Sequence, residues 1–129
     1  MNDRSGAILV VDDDAAVRDG VRALLESEGY AVATASDGAE AIEKLKAEPV
    51  RLVLLDLAMP GVDGWQFLAR RESEAGFPRA PVVLLSGLQF IRDAPGVADF
   101  IRKPIDSGRL LDCVHRLCGA PARDQGLRT

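Results

Sequence analysis

The chain has 129 residues, 47% of them hydrophobic but only 5% aromatic, with a formal net charge of -4. That length suits one domain around a single core of Val, Leu, Ile and Ala, an ordinary soluble globule. An acidic balance with no Lys/Arg cluster larger than Arg70-Arg71 argues against direct nucleic-acid binding, and apolar runs of about five residues fall far short of the ~20 that span a bilayer.

The opening "MNDRSG" has no basic stretch leading into an apolar one, so a cytoplasmic address without membrane contact is expected. The first strand is Ala7–Val11, running into three consecutive aspartates, Asp12, Asp13 and Asp14. "DAAVRDGVRALLESEG" follows as a helix with Val17, Val21, Leu24, Leu25 and Glu28 at helical spacing, Asp14 as N-cap and Gly29 as its stop. A second strand, Ala31–Ala35, leads to "SDGAEAIEKLKAEP", with Ile42 and Leu45 on one face. The third strand, Leu52–Leu55, ends in Asp56, and the helix after it carries Trp65, Phe67 and Leu68 inward, with Asp63 as its cap and Pro60 and Gly61 shaping the loop. Arg70, Arg71, Glu72 and Glu74 read as a solvated face of helical charge pairs. Val82–Leu85 is the fourth strand, ending at Ser86, and Phe100–Ile101 the fifth, followed by Lys103 and Pro104. The last helix, "DSGRLLDCVHRLCG", packs Leu110, Leu111, Val114, Leu117 and Cys118. Its cysteines, Cys113 and Cys118, fit neither a redox pair nor a zinc knuckle and read as core or helix-flank residues, as does the single histidine, His115. A polar tail, 120–129, closes the chain beyond a domain spanning 1–119.

Strands apolar on both faces and alternating with helices imply an α/β fold, a doubly wound parallel sheet of five strands with right-handed crossovers. In such sheets ligands collect at the carboxyl ends of the strands, where Asp12, Asp13, Asp56, Ser86 and Lys103 all fall. Carboxylates gathered there repel one another unless a cation sits among them, and Mg²⁺ suits an all-oxygen site that keeps positions open for a phosphoryl oxygen. A carboxylate beside that metal can attack phosphorus, with the Lys103 ammonium offsetting the developing charge.

"VVDDD", "LLDLAMPGVDG", "LLSG" and "FIRKPI", in that order, resemble the receiver domain of bacterial two-component response regulators, over Ala7 to about Gly119. The resemblance, to a stand-alone, chemotaxis-regulator-like member, implies the flavodoxin-like (βα)5 fold with strand order 2-1-3-4-5. It implies Asp56 as phosphoacceptor, Asp13 as direct Mg²⁺ ligand, Asp12 as ligand through water and Ala58 as ligand through its carbonyl. Ser86 and Phe100 resemble the family's hydroxyl and aromatic switch pair, and Lys103 its phosphate-binding lysine, with a cis Lys103–Pro104 bond. The implied donor is a sensor histidine kinase or phosphotransfer protein, and the output is a changed face for an unidentified protein target. An adaptor that binds partners without phosphorylation is the alternative reading. One departure from the family stands out, and the resemblance further implies that the side chains two past the acceptor and two past the hydroxyl flank the approach of a hydrolytic water. The sixteen residues between Ser86 and Lys103 include a Pro-Gly break, so a short or irregular fourth helix is expected within Gly87–Ala98. Ala58 and Leu88, two past the acceptor and two past the hydroxyl, cannot orient a water, so slow loss of the phosphoryl group is expected.

Overall fold

A computed structural model of the chain describes residues 6–57, 64–86 and 97–119. Its elements, in order, are β1 (Ala7–Val11), α1 (Ala15–Ser27), β2 (Val32–Ala35), α2 (Gly38–Ala47), β3 (Val50–Asp56), α3 (Gly64–Ser73), β4 (Val82–Ser86), β5 (Val97–Arg102) and α4 (Ser107–Cys118). The five strands pair in parallel in the order β2-β1-β3-β4-β5, so the reversal of winding falls between β1 and β3. That is the expected doubly wound, flavodoxin-like sheet.

Alternation along the strands sends successive side chains to opposite faces and so builds two apolar layers. Leu9, Val11, Val53, Leu55, Val82 and Leu84 meet Ile42 and Leu45 of α2 and Phe67 and Leu68 of α3. Ile8, Val10, Leu52, Leu54, Val83 and Leu85 meet Val21 and Leu25 of α1 and Leu110, Cys113 and Val114 of α4. β1 is buried along nearly its whole length because both layers cover it.

Three helices begin on an aspartate whose carboxylate accepts backbone N–H groups of the first turn. Asp14 receives Ala16 and Val17, Asp37 receives Glu40, and Asp106 receives Arg109. These acceptors satisfy donors that the helix cannot, and they meet the positive end of its dipole. After α1 the chain turns through Gly29 at φ 100°, a conformation that costs glycine little. The expected Asp63 cap, Pro60 and Gly61, and positions 87–96 of the expected short fourth helix, lie outside the described residues. Val97 and Ala98 already belong to β5.

Strand ends depart from the sequence reading. β3 begins two residues before its expected core, at Val50, and ends at Asp56 as expected, where it pairs with Leu85; β5 starts three residues early because Val97 pairs with Val82. A ladder extends through any residue whose backbone meets its neighbour, whatever its side chain, so apolar runs mark only the middles of strands. Three side chains also contradict the reading. Trp65 is 42% exposed, because Phe67, Leu68 and Arg71 already fill the inward stripe of α3. Arg71, read as solvated, is 5% exposed: its Nη2 donates to the Ala80 carbonyl at 3.0 Å and ties α3 to the approach of β4. Glu28 is exposed, at the C-cap of α1 rather than on its packed face.

Candidate phosphoacceptor site

Four strands deliver the site. Val11 pairs with Leu55, so Asp12 and Asp56 leave neighbouring strands β1 and β3 at the same level. Ser86 ends β4, and the Lys103 N–H donates to its carbonyl at 2.7 Å, which draws the residue after β5 onto the same rim. The Lys103–Pro104 peptide is cis, as the resemblance implied. The first turn of α3 presses against the end of β3: a Cβ added at Gly64 would lie 2.5 Å from the Asp56 carbonyl oxygen and 2.6 Å from the Leu57 Cα. Only glycine permits that approach.

Carboxylate oxygens of Asp12, Asp13 and Asp56 lie within 4.8 Å of one another. Asp12 is fully buried and Asp56 is 6% exposed, whereas Asp13 is exposed. The donor set therefore combines hard oxygens, high negative charge and an open side for water, which fits a hard divalent cation such as Mg²⁺. A soft metal would call for thiolate or imidazole. Cys113 instead packs in the layer beneath α1 and α4, and His115 stands edge-on to Tyr30.

Lys103 supplies the counter-charge. Its Nζ lies 2.8 Å from Asp12 Oδ2 and 3.6 Å from Asp56 Oδ2. Burial disfavours its charged form, but the hydrogen bond and attraction of Asp12, with a further contribution from Asp56, outweigh that and raise its pKa. The ammonium thus stays protonated well beyond neutral pH. The other Asp12 oxygen accepts the Asp14 N–H at 2.9 Å, and the Asp12 carbonyl accepts Arg18 Nη1 at 2.8 Å.

Ser86 is 2% exposed and follows Leu84 by two residues, so alternation puts both on the α2/α3 face. Phe100 pairs in register with Leu84 and is partly buried against that same apolar layer. Ala58 and Leu88 lie outside the described residues.

Two groups escaped the sequence reading. Arg18 reaches back from the second turn of α1; helical side chains lean toward the N-terminus, and that rule could have pointed to it. Asp99, on β5, gathers Arg109, Arg116 and Cys113 of α4. Its Oδ1 also accepts the Phe100 N–H at 2.7 Å, and Arg109 donates to the Phe100 carbonyl at 2.9 Å. Chiefly through the Arg109 hydrogen bond, the Asp99 carboxyl is held down to about 2, while burial pushes the Cys113 thiol up to about 11. No local pattern announces this cluster, because the partners of Asp99 on α4 lie ten to seventeen residues beyond it.

A parallel sheet wound in this order, with acidic side chains and an ammonium converging at the carboxyl ends of its strands, defines a doubly wound α/β domain with a charged rim where ligands of such sheets collect. The chain belongs to the response regulator receiver domain family, whose signature matches residues 8–115. It is 36% identical to the transcriptional regulatory protein GlrR of Escherichia coli over 135 aligned residues, covering 99% of this chain and 30% of that protein. The chain thus spans about a third of the length of that relative. A CheY-like receiver domain from Methanospirillum hungatei superposes with a TM-score of 0.77 at 31% identity, covering 88% of this chain and 94% of that one. The Thermotoga maritima response regulator TrrA, whose structure is a Mg²⁺-BeF complex, gives 0.76 at 29% identity, covering 87% of this chain and 98% of that one. Among the described residues, no helix is long and apolar enough to cross a membrane.

Proposed function

We propose that this receiver domain is a phosphorylation-activated switch. Asp56 takes a phosphoryl group from a phosphohistidine on a sensor kinase or phosphotransfer protein, in a reaction that requires Mg²⁺. The observation that carries this reading is the convergence of Asp12, Asp13 and Asp56 within 4.8 Å, with the Lys103 ammonium 3.6 Å from Asp56.

An Asp56 carboxylate oxygen attacks phosphorus, the new P–O bond forms as the P–N bond to imidazole breaks, and the departing imidazole keeps the electron pair and is protonated from solvent. Asp13 and Asp56, with Asp12 through water and, as the resemblance implies, the Ala58 carbonyl, would hold Mg²⁺, which when bound would supply charge neutralisation at the phosphoryl oxygens. The burial of Asp56 limits the water that surrounds the nucleophile. Lys103 transfers its ion pairing from the two carboxylates to a phosphoryl oxygen, which keeps the added negative charge compensated. Ser86 donates its hydroxyl to the phosphoryl group, and Phe100, on the same face of the sheet, turns inward as Ser86 shifts. The output is a population shift on a face that another protein reads.

Addition of beryllofluoride with Mg²⁺, a phosphoryl mimic, tests this reading by backbone NMR. The reading expects shifts at Ser86 and Phe100 that vanish in Asp56→Asn and when EDTA replaces Mg²⁺. Unmoved resonances at both residues in the native protein would favour the phosphorylation-independent adaptor.

A further inference from the structure

Asp12 is held at three oxygens by three parts of the chain. Lys103 takes Oδ2 at 2.8 Å, the Asp14 N–H takes Oδ1 at 2.9 Å, and Arg18 Nη1 takes the main-chain carbonyl at 2.8 Å. The first two fix a side chain. The third fixes a peptide: the Asp12 carbonyl belongs to the unit joining Asp12 to Asp13, so anchoring it sets the direction in which Asp13 leaves β1. Asp13 is exposed, and a side chain in that setting is aimed chiefly by its backbone.

Arg18 itself stands half-buried on the second turn of α1, close to a site that the proposed function assigns to a divalent cation. Its charge alone would repel that cation. Its hydrogen bond would preorganise a carboxylate that the cation needs, as groups behind the ligands commonly do. These two effects have opposite signs, so one titration separates them.

We propose that Arg18 is a positioning residue for the metal, acting through the Asp12–Asp13 peptide, and that this role outweighs its repulsion of the ion. The inference rests on the proposed function, in which Asp13 and Asp12 hold Mg²⁺. Arg18 touches neither the phosphoryl group nor the ion in this scheme.

The test uses Mg²⁺ alone, titrated calorimetrically into the full chain, with melting in EDTA measured alongside. Arg18→Met keeps much of the length but loses charge and donor, and its Mg²⁺ dissociation constant should rise about tenfold. Arg18→Lys keeps a donor and a charge, and it should recover most of that loss. Both variants should melt near the native protein in EDTA, since the bond lies at a partly exposed loop. An Arg18→Met protein that binds Mg²⁺ as tightly as the native one, or more tightly, overturns the proposal. So does a lowered melting point with an unchanged dissociation constant, which marks a purely structural role. If Asp13→Ala titrates like the native protein, the metal cup itself fails, an outcome distinct from failure at Arg18 alone.

Discussion

A fully buried carboxylate needs compensation for lost hydration, and Asp12 obtains it from Lys103 and the Asp14 N–H. Asp13 has the opposite setting, exposed at the rim, and that contrast predicts different consequences of substitution. We predict that Asp13→Ala folds normally but weakens Mg²⁺ binding at least tenfold, because the proposed function makes Asp13 a direct anionic ligand and its exposure spares the core; calorimetric titration checks it. Asp99 predicts a pH effect. Its folded pKa, near 2, lies below the unfolded value of 3.8, so the stabilisation is fully present above 3.8 and fades as pH falls toward 2. With its arginine partners partly exposed to solvent, the contribution is about 1 to 2 kcal/mol. Asp99→Asn should therefore melt lower than the native protein at neutral pH, and the gap should close in titrations from pH 4 to pH 2. A gap that stays constant across that range would detach the effect from the carboxylate's charge.

At the scale of elements, the sheet was legible because parallel strands covered on both faces leave runs such as "AILVV" and "VVLL", and the helices because their apolar stripes recur at helical spacing under aspartate caps. The residues of the acidic rim were legible because each sits directly after such a run. What escaped was set by distance along the chain. Arg71 is buried with its guanidinium on the Ala80 carbonyl, nine residues on, and Asp99 finds its arginines on another element. Trp65 was misjudged for a related reason: the width of the buried stripe on α3 depends on the sheet beneath it, and Phe67, Leu68 and Arg71 fill it. Gly64 shows the same principle in the backbone, since its need for a missing side chain arises from β3 rather than from its own turn. Gly64→Ala must push α3 away from Asp56 and Leu57, and we predict a loss of about 2 kcal/mol or more in denaturant unfolding. The displacement should also reduce the rate of phosphoryl uptake, since the Asp56 main chain forms part of the clash.

For the whole molecule, ion pairs link the rim at the carboxyl ends of β1, β3 and β4 to β5, and β5 to α4. Lys103 joins the acidic rim to β5, and Asp99 with Arg109 joins β5 to α4. In the proposed function Lys103, 3.6 Å from Asp56, would answer a charge placed there, and it directly follows the strand that carries Phe100. How long that state lasts is a property of the site's water access. The residues two past Asp56 and two past Ser86, which the resemblance implies flank the water's approach, are Ala58 and Leu88 and carry no polar group, so we predict that Ala58→Asn with Leu88→Glu loses its phosphoryl group faster than the native protein in a phosphate-sensitive gel. An unchanged lifetime would show that other groups govern hydrolysis. The most direct test of the central claim is intact mass after incubation with Mg²⁺ and a small phosphoryl donor, native protein beside Asp56→Asn. The native protein should gain one phosphoryl group and the variant none; equal incorporation in both, or none in either, would contradict Asp56 as the phosphoacceptor.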